Sequence, residues 1–195
     1  MPLVQFAARE ILCKIVYYGP ARSGKTTNLQ WLHRSLPADR RTNLVSLATE
    51  NDRTLFFDFL PLDLGIISGF QTKIQLYTVP GQVYYNTTRA LVLRGADGVV
   101  FVADAQPDRG RDNMESLKNL QANLVEHGSD IRRIPLVLQY NKQDLPEAQA
   151  PAAMDRVLNF RDVPAHGAVA IRGEGVVATL RSISALVLES VSRTY

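Results

Sequence analysis

The sequence is short of cysteine and histidine. Its 195 residues include one cysteine, Cys13, and three histidines. A single cysteine excludes a disulfide within the chain, and its place in an apolar run predicts a small buried residue in a reducing cytoplasm. The histidines are scattered and lack the close spacing that zinc sites require. A disulfide scaffold and a histidine-rich metal site are therefore excluded.

The sequence also lacks membrane and lipidation signals. No stretch approaches the roughly 18 apolar residues that span a bilayer. The first ten residues, MPLVQFAARE, lack the layout of a signal peptide and have no glycine after Met1. The C-terminal SVSRTY has no prenylation cysteine. We expect a cytoplasmic protein with no direct membrane anchor, which only partners could bring to a membrane.

Charge of one sign does not dominate the sequence. It has 22 basic and 19 acidic residues, and no run of five or more basic residues. Such a balance leaves no electrostatic footprint for nucleic acid. The length suits one domain, and no internal repeat, low-complexity tract or linker divides the chain. We expect residues 1–195 to form a single domain.

Apolar runs of strand length alternate with helical patterns along the chain. This alternation predicts a mostly parallel sheet flanked by helices. The predicted strands are Ile11–Tyr18, Ile74–Val79, Gly98–Asp104, Pro135–Tyr140 and Ala168–Ile171. The predicted helices are Lys25–Ser35, Arg111–His127 and Gly175–Ser192, with a short surface helix inside Pro146–Pro164.

A glycine-rich loop follows the first of these strands. The segment Gly19–Thr26, GPARSGKT, matches G-x-x-x-x-G-K-[ST] between a strand and a helix. Backbone N–H groups of such a loop bind phosphates, Lys25 adds a positive charge, and the Thr26 hydroxyl can ligate Mg²⁺. The candidate nucleotide ligands here are Gly19, Ala21, Arg22, Ser23, Gly24, Lys25, Thr26 and Thr27. Of these, Arg22 also fits a solvent-facing loop position.

A second motif, Asn141–Asp144 with the sequence NKQD, indicates which base is bound. It follows a predicted strand, where ligand loops lie in an open α/β sheet. The Asp144 carboxylate can accept from guanine N1–H and the 2-amino group, which adenine does not offer. Lys142 would pack its stem over the base, and Asn141 would tie this loop to the phosphate loop. The motif alone could be a polar turn, but its place after the glycine loop favours guanine.

The segment Thr78–Gln82, TVPGQ, is a variant of a third motif. Small GTPases usually carry D-x-x-G here, followed by a glutamine that orients the attacking water. Gly81 and Gln82 match this pattern, whereas Thr78 replaces the aspartate. A structural hydroxyl at the strand end explains Thr78 equally well.

Together these segments resemble the MglA family of bacterial small Ras-like GTPases, which are switches of gliding motility and cell polarity. The similarity covers nearly the whole chain, and threonine in place of the aspartate is a mark of that family. It implies a Ras-like P-loop NTPase fold, a three-layer α/β sandwich with a mostly parallel sheet and one antiparallel edge strand. The segments that carry it are Lys14–Pro20, Ser23–Leu29, Arg53–Asp63, Leu76–Val83, Gly98–Asp104 and Tyr140–Pro146.

The resemblance implies GTP/GDP and Mg²⁺ as cofactors and slow GTP hydrolysis. Gln82 would position the water, Arg53 would act as an arginine finger from the same chain, and Thr54 would join Thr26 on the metal. Taken by itself, Arg53 is an exposed loop arginine. The remaining implied nucleotide contacts are Gly81 at the phosphates and the backbone of Ala170 and Ile171 near guanine O6.

The resemblance also implies partners. An MglB-like homodimer of roadblock fold would stimulate hydrolysis, and effectors in polarity and motility would read the GTP state. The chain alone would be a monomer. Partners would be needed to recruit it to a cell pole. The strand Leu55–Leu62 would slide in register on GTP binding. Both of its faces are apolar apart from Asp58, which also fits a strand that is buried on both sides. We expect it to be an edge strand on which Phe56–Phe59 straddles core and partner surface.

Ala21 is a departure from the family, whose members typically have glycine at this position. Its methyl group would crowd the space where Gln82 and Arg53 converge, so we expect slower hydrolysis with binding preserved. A GTP-dependent binding module with little or no hydrolysis is therefore the alternative function. A P-loop kinase or ATPase is a further rival, which Asn141–Asp144 disfavours.

Overall fold

A computed structural model describes residues 3–36, 43–50, 53–67, 69–82 and 85–194, without the side chains of 3, 46–50, 53–56 and 194. The strands are β1 (Leu3–Gln5), β2 (Glu10–Tyr18), β3 (Val45–Glu50), β4 (Arg53–Ile67), β5 (Phe70–Thr78), β6 (Gly98–Asp104), β7 (Leu136–Asn141) and β8 (Ala165–Ala168). The helices are α1 (Lys25–Ser35), α2 (Asn86–Leu93), α3 (Gly110–Glu126), α4 (Pro151–Leu158) and α5 (Val176–Thr194), with a 3₁₀ turn at Pro107–Arg109.

One sheet runs in the order β3-β4-β5-β2-β6-β7-β8. Strands β5, β2, β6, β7 and β8 are parallel, while β4 is antiparallel to β5, β3 to β4 and β1 to β2. Every residue of β6 and of β7 is buried, as expected for parallel strands covered on both faces. The predicted α/β fold with a mostly parallel sheet is thus confirmed.

Two apolar layers cover the two faces of the sheet. In β2, Val16 and Tyr18 pack toward α2, α3 and α4, whereas Ile15 and Tyr17 pack toward α1 and α5. This split follows from the two-residue period of a strand. The loops predicted to bind phosphate and base lie at the carboxyl ends of the parallel strands, where such a sheet places ligands. Among the described helices, none combines the length and hydropathy needed to cross a bilayer.

Two expectations about strands were wrong. Ala168–Ile171 is not a strand, because β8 ends at Ala168 and a turn closed by the Val169–Glu174 bridge follows. Val169 and Ala170 are buried although they lie in a turn, whereas Ile171 is 75% exposed, and the sequence pattern did not distinguish this turn from a strand. Leu55–Leu62 lies within β4, which is not an edge strand because β3 pairs along its outer side, with Leu47 opposite Phe57.

Candidate nucleotide and magnesium site

The phosphate loop connects β2 to α1 and requires glycine at two positions. Gly19 has φ of 145° and Gly24, the residue before α1, has φ of 99°. A Cβ on Gly19 would lie 2.1 Å from the Val102 carbonyl oxygen, and one on Gly24 would lie 2.1 Å from Asn141 Nδ2. Backbone conformation and close packing therefore both exclude larger residues.

Lys25 is a buried cation at the centre of this loop. Its Nζ donates to the carbonyl oxygens of Gly19, at 3.0 Å, and Pro20, at 2.6 Å. Burial above all, together with the positive charge of Arg89, lowers the pKa of Lys25 to about 7, and Asp58 opposes the shift. Within the described part of the chain, the buried Ser23 Oγ has no hydrogen-bond partner. A desolvated ammonium and an unsatisfied hydroxyl fit a loop that holds anionic phosphates.

Asn141 joins the phosphate loop, the NKQD loop and the segment after β8. Its Nδ2 donates to the Ser23 carbonyl oxygen at 2.8 Å, and its Oδ1 accepts from the Ala170 N–H at 2.9 Å. The exposed Asp144 lies in the same cleft. The cleft is lined by Arg22, Gly24, Thr27, Asn141, Lys142, Asp144, Leu145, Val169, Ala170 and Ile171. The structure thus brings together the residues predicted to hold phosphate and base.

Sequence reasoning did not identify Asp104, which holds Lys142. Asp104 ends β6 with a fully buried carboxylate that forms an ion pair with Lys142 Nζ. The nearby Arg109 donates to the Ala21 carbonyl oxygen at 3.0 Å. Asp104 thus restrains the amino end of Lys142, whose stem borders the cleft. An acidic residue closing the apolar run GVVFVAD was the available signal.

The oxygen atoms of three separate segments meet beside the phosphate loop. Asp58 Oδ2 accepts from the hydroxyl groups of Thr26, at 2.5 Å, and Thr78, at 2.7 Å. The Asp58 N–H donates to Thr78 Oγ1 at 2.9 Å, and both Asp58 and Thr78 are buried. Sequence reasoning did not assign a role to Asp58, although it is the lone charge in the apolar run LFFDFLPL.

This donor set fits a magnesium ion. Mg²⁺ prefers oxygen ligands and commonly combines one or two carboxylates with substrate phosphates. Across the described ranges, no group of three or more His, Cys, Asp or Glu side chains could hold a metal ion. A metal at Thr26 and Asp58 would therefore complete its shell with nucleotide phosphates and water.

The structure does not bring Thr54 to this position. Arg53 and Thr54 begin β4, with their backbones opposite Glu50 and Thr49, and their side chains lie outside the described part. Thr54 precedes Asp58 by four residues, or about 13 Å along an extended strand. The roles of Arg53 as finger and Thr54 as metal ligand remain predictions.

Gly81 and Gln82 lie against the phosphate loop. A Cβ on Gly81 would be 2.3 Å from the Ala21 Cα, so only glycine fits there. Gln82 and Ala21 line one cavity together with Pro20 and Arg89. The structure therefore places the predicted water-positioning residue and the extra methyl group in the same space, while their effect on hydrolysis remains a prediction.

Comparison with known proteins agrees with the resemblance drawn from the motifs. Residues 3–187 match the ADP-ribosylation factor family. The mutual gliding-motility protein MglA of Myxococcus xanthus is 54% identical over 193 residues, which cover 99% of each chain. A more distant relative is the Ypt/Rab-type GTPase Rab7 of Neurospora crassa, which is 24% identical over 78% of this chain and 68% of its own length. Human ADP-ribosylation factor-like protein 4D is 27% identical over 59% of this chain and 58% of its own length. The chain belongs to the ADP-ribosylation factor family of Ras-like small GTPases and is MglA-like within it.

Proposed function

We propose that residues 1–195 form one GTPase domain that binds and hydrolyses GTP with Mg²⁺ and acts as a switch in gliding motility and cell polarity. The observation that carries the biochemical part is the pair of hydrogen bonds made by Asn141. They join a phosphate-binding loop, a guanine-type loop and the Ala170 segment in one cleft. The biological role rests on the 54% identity to the gliding-motility protein MglA.

Nucleotide recognition is divided among these segments. Backbone groups of Gly19–Thr26 and the charge of Lys25 would bind the phosphates, and Asp144 would accept from guanine. Thr27 and Arg22 border the same cleft, and the backbone of Ala170 and Ile171 would approach guanine O6. A buried carboxylate at Asp58 would supply the negative charge that Thr78 lacks, so that Thr26 and Asp58 hold Mg²⁺ beside the phosphates. The bound ion would neutralise charge that develops on the phosphates.

Hydrolysis needs a positioned water and a further positive charge at the terminal phosphate. Gln82 would orient the water, while a shift of β4 along β5 would carry Arg53 and Thr54 toward the site and replace Asp58 there by Thr54. A roadblock-fold homodimer would favour the shifted strand, and effectors would recognise it. The unaided protein would be monomeric, turn over at about 10⁻⁴ to 10⁻² s⁻¹ as small GTPases do, and reach a cell pole only through partners.

The alternative of a binding module with little hydrolysis is supported by one contact. Gly81 packs directly on the Ala21 backbone, and Ala21 and Gln82 line the same cavity. We expect Ala21→Gly to raise the hydrolysis rate about tenfold, an effect equivalent to 1.4 kcal/mol in the barrier, without tightening nucleotide binding.

Single-turnover hydrolysis of GTP separates the two functions. The measurement compares the native chain with Ala21→Gly, each with and without a titrated roadblock homodimer, and Gln82→Leu serves as the inactive control. Partner-stimulated hydrolysis supports the switch. GTP binding without hydrolysis in either protein would support the binding module instead.

A further inference from the structure

Arg89 in α2 is a buried arginine beside the phosphate loop. It is 2% exposed, and its guanidinium carbon lies 5.4 Å from the centre of the Tyr18 ring. None of the carboxylates described in the structure forms an ion pair with it. A buried guanidinium without a carboxylate is costly unless its N–H groups are otherwise bonded. The hydrogen-bond acceptors of Arg89 therefore indicate its role.

The guanidinium of Arg89 holds two consecutive carbonyl groups ahead of Gln82. Its Nε donates to the Pro80 carbonyl oxygen at 2.8 Å, and its Nη2 donates to the Gly81 carbonyl oxygen. In a planar trans peptide, the carbonyl and the N–H that follows it point in opposite directions. The N–H groups of Gly81 and Gln82 consequently point away from Arg89.

The other side of this short segment faces the phosphate loop. Gly81 packs so tightly on Ala21 that a Cβ would lie 2.3 Å from its Cα. The segment is thus held by an arginine on one side and contacts the loop on the other.

Helix α3 fixes the arginine itself. Arg89 Nη1 donates to Asn119 Oδ1 at 2.7 Å, and the same oxygen accepts from the Tyr18 hydroxyl at 2.5 Å. Asn123 Nδ2 donates to the Tyr18 hydroxyl at 3.1 Å. The guanidinium therefore has little freedom to turn away from the two carbonyls.

We propose that Arg89 is a positioning residue that aims the Gly81 and Gln82 backbone at the terminal phosphate and so makes the site prefer GTP over GDP. The inference rests on the proposed function. Removal of Arg89 should weaken mainly the contacts to the terminal phosphate, which GDP lacks. A residue with a purely structural role would instead weaken both nucleotides alike or neither.

The test compares dissociation constants of GDP and a non-hydrolysable GTP analogue, both with Mg²⁺. We expect Arg89→Met to weaken the analogue at least about tenfold, the effect of losing one hydrogen bond to a charged group, and to change GDP less than about twofold. Arg89→Lys keeps the charge but loses the planar fork, so an intermediate and equally selective loss is expected.

Tyr18→Phe is the matched control. It removes the hydroxyl bonded to Asn119 and keeps both bonds from Arg89 to the carbonyls, so the melting temperature should fall while the ratio of the two dissociation constants stays native. Equal weakening of GDP and the analogue in Arg89→Met, or no change, would overturn the inference. If Arg89→Met fails to fold, Arg89→Lys takes its place, and a native ratio of the two dissociation constants in that variant would overturn the inference. A native chain that binds neither nucleotide would refute the proposed function itself.

Discussion

Asp58 and Thr78 share one hydrogen-bonded position although they lie on different strands. In the usual D-x-x-G motif of small GTPases, an aspartate stands at the strand end where this chain has Thr78. The antiparallel partner β4 instead places the Asp58 carboxylate 2.7 Å from the Thr78 hydroxyl and 2.5 Å from that of Thr26. At the scale of single residues, we infer that the Asp58 carboxylate compensates across the sheet for the missing aspartate.

This compensation predicts the effect of removing the charge. Mg²⁺ slows the release of a fluorescent GDP, and Asp58→Asn should raise by about tenfold the Mg²⁺ concentration at which this slowing is half complete. The reason is that one unit charge beside the metal site is lost. The measurement is the release rate as Mg²⁺ is titrated.

A second substitution tests whether the carboxylate itself matters. Adding Thr78→Asp to Asp58→Asn should restore much of the native Mg²⁺ dependence, because a carboxylate returns to the same position from the other strand. Asp63→Asn, on the exposed face of β4, is the matched control and should behave like the native chain. An Asp58→Asn protein with native Mg²⁺ dependence would contradict the role of Asp58.

At the scale of elements, strand β4 is constrained in how far it can slide. Phe59 packs on Tyr77 with ring centres 4.8 Å apart, whereas Leu60 and Leu62 are buried on the opposite face. A slide of one residue would exchange these faces, so only an even shift preserves the core. The register changes between Asp63 and Gly65, which provides an irregularity where a slide could end.

A disulfide across β4 and β5 should test that slide. Asp63 and Lys73 are exposed cross-strand partners on the site side of the irregularity, and their Cα separation in an antiparallel pair suits a disulfide. We expect the oxidised double cysteine variant to bind GDP normally and to lose about tenfold or more of its partner-stimulated hydrolysis.

The reduced form of the same variant is the control. Adding a reductant should restore partner-stimulated single-turnover hydrolysis, while the Asp63→Cys single variant should be insensitive to it. Full stimulation in the oxidised protein would show that β4 need not move along β5 at that point.

At the scale of the whole molecule, nucleotide binding connects the two apolar layers. The phosphate loop starts α1 on one face of the sheet, whereas Gly81 and Arg89 belong to the segment around α2 on the other. A nucleotide that binds only the folded chain should stabilise both layers together, because they share one sheet. Its effect follows from mass action and is about 2.7 kcal/mol when the ligand is at 100 times its dissociation constant.

Thermal unfolding should report this stabilisation and identify the base. A stabilisation of about 2.7 kcal/mol raises the melting temperature by roughly 5–11 °C in a domain of this size. We expect such a rise with GDP and none with ADP at the same concentration. Asp144→Asn should lose the response to GDP and gain one to XDP, whose additional carbonyl can accept from the asparagine amide. Equal responses to GDP and ADP would contradict guanine recognition.

The sequence by itself determined the fold class and most of the nucleotide site. The phosphate loop and the Asn141–Asp144 loop are local motifs, so their residue order carries their chemistry, and Lys25–Ser35 and Gly98–Asp104 were predicted with the bounds that the structure has. Helix α2 and strand β3 were not predicted, because they have only eight and six residues, too few for a clear pattern. Each packs on another element, α2 on α3 and β3 on β4.

Only the tertiary structure decided which distant side chains act together. Asp58 meets Thr26 across 32 residues, and Asp104 meets Lys142 across 38. Arg89 reaches Asn119 across 30. In the sequence, the apolar runs around Asp58 and before Asp104 mark these carboxylates as unusual, but no local pattern identifies the partner of either residue or of Arg89. Their partners follow from strand pairing and from the packing of α2 on α3, both of which are set by burial of apolar surface over the whole chain.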